Sequence, residues 1–443
     1  MDLVIPDNIL QVLDALEAAG FPSWVVGGAV RDLMLGRPAH DYDITTSARP
    51  EQVTQIFKDA TYGLGARFGT VGVFSGGALI EVTTFRCEGR YTDYRHPDEL
   101  SFSANIEDDL ARRDFTINAL AYHPRRGLLD LFDGAQDLND RLMRCVGDPS
   151  KRFAEDPLRI LRAWRFAAQL GFSLEPATHA ASVKESPLLR HISVERIREE
   201  FCKLLLADPH TLLEMPQEIL EQFLPELVTM LQTPQNTPFH QYNVGEHCIF
   251  ACTLTPPNLR VRLATLFHDV GKPKARFHRE DGIDHFYHHP LYSAEITRDL
   301  MRRLKFPRQL IDEVCALVLQ HDRQVGCTDA SIRRALASVG DDLFDDLLQV
   351  KYADASAVAE RYRAARLDSV HEIERRYHEL KATQQLVHST RQLAIGGRDL
   401  MELGMQPGPE MGTLLQTLLD EVIENPPLNT RQQLIERARS LLA

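Results

Sequence analysis

Two aspartates, Asp41 and Asp43, stand one residue apart in DYDITT, a segment with the composition of a strand. At strand spacing both carboxylates point to the same side, where they repel each other unless a cation lies between them. Mg²⁺ held by a carboxylate pair and by substrate phosphates is the usual arrangement in phosphoryl transfer. Glu81, in the strand pattern LIEVTTF, would face the same site. These three carboxylates predict a metal-dependent phosphoryl-transfer centre.

A glycine pair, Gly27-Gly28, precedes the carboxylates and is followed by a short helix that begins near Ala29. Glycine lets the backbone approach a ligand closely, and the free N–H groups of a first helical turn attract anions. A lone Asp-x-Asp is commonly a turn or the end of a surface strand. The ordered set of glycine pair, Arg31-Asp32, Asp-x-Asp and a downstream glutamate is much harder to obtain by chance.

In these stretches the chain resembles the CCA-adding tRNA nucleotidyltransferases of the bacterial and eukaryotic class, which share a head domain with bacterial poly(A) polymerases. The matching stretches, in the family's order, are GGAVRD, DYDITT, EVTTFR, RRDFTINA and RFAEDPLRILRAWRFA. The resemblance implies that Asp41 and Asp43 bind Mg²⁺ and that Glu81 supports attack by the 3′-hydroxyl. It also implies nucleotide binding by Gly27, Gly28, Arg31, Arg113, Asp114, Asn118 and Arg162.

Asp156 and Arg159 are three residues apart in EDPLR, so on one helix their side chains are neighbours. An exposed ion pair is the simplest explanation of this spacing. The family resemblance implies instead that the two residues form a protein template for the incoming base. Cytosine and adenine present an amino donor beside a ring-nitrogen acceptor, which a carboxylate and a guanidinium match, whereas uracil and guanine present the reverse order.

The segment RCEGRYTDYRHPDELSF, from Arg86 to Phe102, is charged, aromatic and interrupted by proline, which predicts a mobile loop. It resembles the flexible loop that lets family members shift from C to A, and enzymes that add only CC characteristically lack its full form. Addition of CC alone is therefore disfavoured. Full CCA addition, addition of the final A alone and poly(A) synthesis remain alternatives.

A second set of residues surrounds His268-Asp269 in FHDVGKP, with His247 upstream and Asp354 downstream. It resembles the HD phosphohydrolase superfamily, in which these four positions bind a divalent metal. Mixed imidazole and carboxylate ligands suit first-row transition metals better than Ca²⁺. The resemblance implies hydrolysis of 3′-phosphate or 2′,3′-cyclic phosphate ends, with a structural relic as the alternative. Further histidines between these positions are His288, His289 and His321.

The composition excludes several classes of protein. With 44% hydrophobic and 26% charged residues, the 443-residue chain has the balance of soluble domains, and no apolar run reaches membrane-spanning length. A net charge of −13 argues against indiscriminate coating of nucleic acid but leaves local basic patches open. Seven scattered cysteines indicate a reducing, cytoplasmic location, and core packing explains Cys248 and Cys252 better than thiolate ligation does.

Strand and helix patterns predict an α+β protein in four parts. Residues 1–150 form a nucleotidyltransferase α/β head whose strands lie in SWVVGG, YDITT, TVGVFSGG and ALIEVTTF. All-helical parts follow: a neck over 151–235 with the base template and RNA contacts, an HD domain over 236–360 and a tRNA-binding tail over 361–443. From Arg361, RYRAARLDSVHEIERRYHELK predicts a long helix whose arginines are either a solvated face or an RNA contact.

Taken together, the residues and the resemblance predict an enzyme that adds CCA, or its terminal part, to tRNA from CTP and ATP, releasing pyrophosphate. Mg²⁺ in the head and a second divalent metal in the HD domain are the expected cofactors. The expected partners are tRNA, CTP and ATP, with no membrane and no obligate protein partner. Outside this class, the alternatives are a silent RNA-binding module and a phosphohydrolase whose head merely binds nucleotide.

Overall fold

The computed structural model describes residues 2–65, 69–88, 100–280, 282–383 and 386–442. Two compact units divide the chain, Met1–Pro225 and Glu226–Ala443. Most of the predicted loop between Arg86 and Phe102 lies outside the described residues. Among the helices that are described, none combines the length and the apolar character needed to cross a membrane.

A mixed seven-stranded sheet forms the centre of the first unit. The strands of this region are β1 (Ser23–Val26), β2 (Asp43–Thr46), β3 (Thr61–Gly65), β4 (Thr70–Ser75), β5 (Ala78–Thr84), β6 (Arg86–Glu88), β7 (Leu100–Phe102), β8 (Ala121–His123) and β9 (Gly127–Leu129). The sheet order is β3-β4-β5-β2-β1-β8-β9, while β6 and β7 form a separate pair. Every residue of β1 is buried, as expected for a central strand covered on both faces.

One strand pair of the sheet positions the predicted carboxylates. Strands β2 and β5 run parallel, and their register places Asp43 directly beside Glu81. All other neighbouring pairs described in this sheet are antiparallel. The four predicted strands are confirmed as β1, β2, β4 and β5, whereas the short strands β3, β8 and β9 lack a pattern strong enough to predict.

Helices cover this sheet and then continue without it. Those of the first unit are α1 (Asp7–Ala18), α2 (Gly28–Met34), α3 (Pro50–Phe57), α4 (Ile106–Ala111), α5 (Gly134–Asp140), α6 (Pro149–Glu155), α7 (Leu158–Leu170), α8 (Pro176–Lys184), α9 (Val194–Ala207), α10 (Thr211–Glu214) and α11 (Gln217–Phe223). The two-residue strands β10 (Leu142–Met143) and β11 (Ser173–Leu174) pair in parallel. Helix α7 packs against α9 and ends at Gly171, whose φ of 72° favours glycine.

The second unit is helical apart from one hairpin, β12 (Arg276–His278) with β13 (Asp284–Phe286). Its helices are α12 (Pro225–Leu231), α13 (Val244–Thr253), α14 (Leu259–Phe267), α15 (Lys272–Ala275), α16 (His289–Arg303), α17 (Arg308–Gln320), α18 (Asp329–Val339), α19 (Asp341–Ser356), α20 (Glu360–Ala382), α21 (Gly397–Glu402), α22 (Pro409–Glu424) and α23 (Arg431–Leu442). Helix α20 confirms the long helix predicted from Arg361. The predicted α+β class is also confirmed, while the four-part boundaries stay a prediction.

Candidate active site of the head and candidate metal centre

The three predicted carboxylates of the head lie at one edge of the sheet. Asp43 is the first residue of β2, Glu81 lies beside it in β5, and Asp41 precedes the strand by two residues. A cavity of about 340 Å³ is lined by all three. Burial and the adjacent Glu81 carboxylate raise the pKa of Asp43 to about 6, although Arg113 opposes the shift. Crowded carboxylates whose ionisation is disfavoured fit a divalent cation, which removes their repulsion.

Positions 27 and 28 differ in how strictly they require glycine. Gly27 has a φ of 74°, and a Cβ there would approach Nη1 of Arg113 to 3.0 Å. Gly28 begins α2, and a Cβ there would meet Nη2 of Arg31 at an ordinary 3.6 Å. The backbone conformation and the close approach of Arg113 therefore make glycine necessary at position 27 and merely convenient at position 28.

The predicted nucleotide-binding residues form a connected network. Arg31 donates to Oδ1 of Asn118 at 2.8 Å, and Asn118 donates to Oδ1 of Asp114 at 3.1 Å. Arg162 donates to the other Asp114 oxygen at 2.6 Å. Burial opposes ionisation of Asp114, but the Arg162 guanidinium outweighs it and lowers the pKa to about 2. The Nε of Arg113 is buried and has no hydrogen-bond partner among the described residues, so this donor is unsatisfied in the metal-free and ligand-free protein.

Asp109 is a residue of this network that the sequence interpretation missed. It is fully buried, and it accepts from Nη2 of Arg112 at 2.7 Å and from Nη2 of Arg113 at 3.3 Å. The hydroxyl of Thr45, on β2, donates to it at 3.1 Å. Asp109 thus links the arginines to the strand that begins with Asp43. Its spacing of three and four residues from the two arginines was the available signal.

The expected placement of Asp156 and Arg159 on one helix is wrong. Helix α6 ends at Glu155, and Asp156 is extended, with φ −140° and ψ 97°, because Pro157 follows it. Asp156 pairs with Arg196 at 2.8 Å, and Arg159 pairs with Glu155 at 2.8 Å. The simple alternative, an ion pair between Asp156 and Arg159, is therefore not formed.

These two residues nevertheless lie beside the network. Arg159 donates to the backbone oxygen of Arg112 at 3.1 Å and contributes to the low pKa of Asp114. The charge of Asp156 similarly contributes to the raised pKa of Arg162, where burial is the largest and opposing effect. One charged surface in the first unit therefore contains both residues of the suggested template.

In the second unit, the four predicted metal ligands come together. Nε2 of His247 lies 3.0 Å from Oδ1 of Asp354, and Nε2 of His268 lies 3.3 Å from Oδ2 of Asp269. Helices α13, α14 and α19 position them, with His268-Asp269 immediately after α14. The pKa of Asp269 is well below its usual range because the charges of His268 and Lys272 outweigh burial.

Two of the further histidines complete this group. Nε2 of His289 and Nε2 of His321 lie 3.2 and 3.5 Å from Oδ1 of Asp269. Asp269 thus presents one oxygen to each of two histidine sets. His288 is exposed and lies outside the group. The six residues are called the histidine–aspartate cluster below: His247, His268, Asp269, His289, His321 and Asp354.

Backbone contacts orient the imidazoles of the cluster. Nδ1 of His268, His289 and His321 lies 2.7–2.9 Å from a carbonyl oxygen three residues earlier in each case. Such contacts fix the ring so that Nε2 faces the cluster, which is the arrangement metal-binding histidines use. Nε2 of His268 and Oδ1 of Asp269 are buried without hydrogen-bond partners among the described residues. This donor set fits a divalent transition metal.

Two buried cysteines lie on the helix that carries His247. Cys248 and Cys252 are both completely buried in the core. Burial raises the pKa of each thiol, to about 12 for Cys252, so neither is a thiolate. The preference for core packing over ligation at these positions agrees with the structure, although Sγ of Cys248 lies 3.7 Å from Nδ1 of His268.

Comparison with known families matches three segments of the chain. Residues 23–144 match the Poly A polymerase head domain, and residues 171–231 match a probable RNA and SrmB-binding site of polymerase A. Residues 283–438 match a putative domain 2 of tRNA nucleotidyltransferase. The first match contains every predicted residue of the head centre from Gly27 to Asn118.

Solved structures and sequence relatives cover the chain more fully. Bacillus stearothermophilus CCA-adding enzyme in complex with CTP has a TM-score of 0.73 at 29% identity, covering 99% of both chains. Thermotoga maritima CCA-adding enzyme complexed with tRNA_CCA has a TM-score of 0.60 at 19% identity, covering 99% of this chain and 97% of that one, and shows the fold alone.

The sequence relatives include partial and full-length matches. The CCA-adding enzyme of Lactobacillus helveticus (strain DPC 4571) is 51% identical over 210 residues. This match covers 47% of this chain and about half, 52%, of that relative. The CCA-adding enzyme of Ligilactobacillus salivarius (strain UCC118) is 34% identical over 443 residues, covering 99% of this chain and 98% of the relative. Because that match extends along nearly all of both proteins, the chain belongs to the family of CCA-adding enzymes.

Proposed function

We propose that this protein adds CCA, or its terminal part, to the 3′ end of tRNA from CTP and ATP and releases pyrophosphate. The observation that carries the proposal is the pairing of Asp43 with Glu81 across β2 and β5, with Asp41 beside them in one cavity. The neighbouring Arg31–Asn118–Asp114–Arg162 network supplies a nucleotide-binding surface. The full-length resemblance to CCA-adding enzymes supports tRNA as the acceptor.

The residues of the head then have separate roles. Asp41 and Asp43 would hold Mg²⁺, which stabilises charge on the transferring phosphoryl group when it is bound. Glu81 lies at the same strand edge, where its carboxylate orients the attacking 3′-hydroxyl. Gly27 keeps space for Arg113, which with Arg31 neutralises the triphosphate. Each of these roles is a proposal for this chain.

Base selection is assigned to Asp156 and Arg159. A carboxylate accepts from the amino group shared by cytosine and adenine, and a guanidinium donates to the adjacent ring nitrogen. Both side chains are now in ion pairs, with Arg196 and Glu155 respectively. Base binding would therefore exchange or share these partners, and both remain within one charged surface next to Asp114.

A second activity is proposed for the histidine–aspartate cluster. We infer that it binds one or more divalent transition metals and hydrolyses 3′-phosphate or 2′,3′-cyclic phosphate ends. The close approach of possible ligand atoms in two groups, one of His247, His268 and Asp354 and one of Asp269, His289 and His321, supports this. Oδ1 of Asp269, 3.2 and 3.5 Å from Nε2 of His289 and His321, would accommodate a further ion together with them. Metal analysis of the purified protein, in ions per chain, tests the first part directly.

The cellular setting is also a proposal. All seven cysteines are free, as expected for a protein that works in a reducing compartment such as the cytoplasm. Neither the family resemblance nor the composition requires a further protein partner for activity.

The test of the main proposal is incubation with a tRNA that ends at the discriminator base, together with CTP and ATP. Three added nucleotides that sequence as CCA are the expected product. Addition of one A, and only to a tRNA that already ends in CC, would identify an A-adding specialist. Long A tails on tRNA or on unstructured RNA would overturn the proposal in favour of poly(A) synthesis.

A further inference from the structure

A cavity of about 380 Å³ opens above the histidine–aspartate cluster. Four cluster residues line it, Asp269, His289, His321 and Asp354, and so do Phe239, Tyr287 and Arg366. Ligand pockets span about 300–1,000 Å³, so this volume fits one nucleotide rather than several. The cluster residues are proposed metal ligands, whereas Phe239, Tyr287 and Arg366 are aromatic or cationic.

Two exposed aromatic rings are among the residues that line this cavity. Phe239 is 42% exposed and Tyr287 is 61% exposed, which is unusual for rings that flank one opening. The His285 ring stacks on that of Tyr287, with centroids 5.4 Å apart and planes within 7°. The other face of Tyr287 is therefore a flat, supported surface on which a nucleobase can stack.

Both walls are held in place without a ligand. The carboxylate of Asp284, in the hairpin, accepts from the backbone N–H of Asn236 at 3.0 Å and pairs with Arg276 at 3.1 Å. Arg361 donates to the carbonyl of Pro238 at 3.0 Å, next to Phe239. Since the walls are already ordered, a ligand would not lose affinity by ordering them.

Arg366, on α20, provides a positive charge at the mouth. Its Nη1 lies 4.0 Å from Oδ2 of Asp354, and its guanidinium lies over the Phe239 ring, 5.7 Å from the centroid. A planar guanidinium binds two phosphate oxygens at once, which makes arginine the usual phosphate-positioning side chain.

Other arginines of the same helix are used differently. Arg375 forms ion pairs with Glu372 and Glu379, and Arg376 pairs with Asp329 at 2.6 Å. The sequence left open whether the arginines of this helix form a solvated face or contact RNA, and the structure shows that they differ from one another. The C-terminal arginines stabilise the helix and its neighbour, whereas Arg366 faces the cavity.

We propose that this cavity binds the terminal nucleotide of an RNA 3′ end that carries a phosphate. Arg366 positions the phosphate beside the cluster, and the base stacks on the face of Tyr287 that His285 leaves open. The inference rests on the hydrolytic role proposed for the cluster and adds the residues that select a nucleotide over other phosphate esters. Because every base has a π-face, stacking predicts similar affinity for all four bases.

Binding to the full chain loaded with Mn²⁺ tests this inference, with phosphate release followed in the same samples so that binding and hydrolysis are separated. Adenosine 3′-phosphate is titrated by calorimetry, with inorganic phosphate as a second probe. Arg366→Ala should weaken both probes about tenfold, while Tyr287→Ala should weaken only the nucleotide by about tenfold and Tyr287→Phe should retain it. Arg308→Ala and Tyr352→Ala, exposed and outside the cavity, are the matched controls, and unchanged metal content verifies the cluster in each variant.

The outcomes separate this inference from the proposed hydrolysis. If wild-type protein hydrolyses phosphate ends but both alanine variants bind and react normally, the inference is overturned and the hydrolase proposal stands. If wild-type protein binds adenosine 3′-phosphate through Arg366 and Tyr287 without hydrolysing it, the site is supported and hydrolysis is not. A short RNA with a 3′-phosphate should compete at least as well as the mononucleotide, and failure to compete would overturn the assignment to RNA ends.

Discussion

The head centre and the histidine–aspartate cluster differ in how far neighbouring side chains compensate the charge of a buried carboxylate. In the head, burial and the Glu81 carboxylate raise the pKa of Asp43 to about 6, and Arg113 offsets only part of this shift. In the cluster, imidazoles and the Lys272 ammonium, 2.5 Å from Asp269, hold the pKa of that carboxylate well below its usual range. In the metal-free protein, neighbouring cations therefore stabilise ionised Asp269 more than they stabilise ionised Asp43.

The largest expected loss of activity concerns Asp43 in the head centre. Asp43→Asn should lower CTP incorporation by at least about 10³-fold, because a metal ligand that stabilises transition-state charge is lost. Binding of tRNA should change by less than about threefold, since it depends on remote phosphate contacts. Incorporation and filter binding are measured in parallel, with the exposed Asp59→Asn as control. Retention of more than a few per cent of turnover would rule out Asp43 as a ligand.

The same variant gives a stability prediction with a definite sign. A carboxyl whose folded pKa is about 6, against 3.8 when unfolded, stabilises the fold while it is protonated and loses this contribution as the pH rises through 6. Without Mg²⁺, Asp43→Asn should therefore raise the thermal midpoint at pH 7.5, and the gain should shrink at pH 4.5. An unchanged midpoint at both values would show that the protein, and not a cation, relieves the repulsion.

Base selection is expected to change by a comparable factor. Asp156→Ala and Arg159→Ala should lose discrimination against UTP and GTP by up to roughly 10⁴-fold, because a site that pairs specific groups rejects a base that leaves them unmade. Affinity for the triphosphate should be much less affected, since Arg31 and Arg113 lie elsewhere in the site. Single-turnover incorporation of each nucleotide provides the measurement. Wild-type preference in both variants would place the template in other residues.

The two glycines provide a matched pair of substitutions. Gly27→Ala requires a left-handed alanine and places a Cβ 3.0 Å from Nη1 of Arg113, so backbone strain and a small shift of this arginine should lower incorporation by roughly tenfold. Gly28→Ala meets only an ordinary contact and should retain most of the activity. Equal losses in the two variants would contradict the role assigned to the space beside Gly27.

The smallest expected effect concerns a charge that the protein does satisfy. Asp114→Asn should cost about 2 kcal/mol of unfolding free energy at pH 7, at about 1.4 kcal/mol per pKa unit. The pKa of Asp114 falls from 3.8 unfolded to about 2 folded, so the stabilisation is complete above pH 4 and is lost as the pH falls through 2. Denaturant unfolding at pH 7 and pH 2 measures the difference, and a cost that is independent of pH would contradict the ion pair with Arg162.

Much of the head centre was predictable from the sequence, because its carboxylates lie in short segments with recognisable strand patterns. Asp43 and Glu81 each lie in an alternating strand pattern, so their common edge followed from residue types. The family resemblance supplied His247 and Asp354, which are distant in sequence from His268-Asp269. The cofactor sets and the site roles remain predictions for this chain.

Other features depend on contacts that no sequence pattern expresses. Asp156 pairs with Arg196, forty residues later, because Pro157 interrupts the helix expected there. The assignment of His289 and His321 to the cluster, and the exclusion of His288, depends on where α16 begins and α17 ends. Both outcomes are set by tertiary packing, which overrides the spacing along the chain.

The central claim is that one chain contains two chemically separate centres. The most direct measurement assays wild-type protein, Asp43→Asn and His268→Ala for CTP addition to tRNA and for phosphate release from an RNA 3′-phosphate with Mn²⁺. We predict that wild-type protein performs both reactions, that Asp43→Asn loses only addition, and that His268→Ala loses only phosphate release together with bound metal. Loss of both reactions in either variant, or no phosphate release by wild-type protein, would contradict this account.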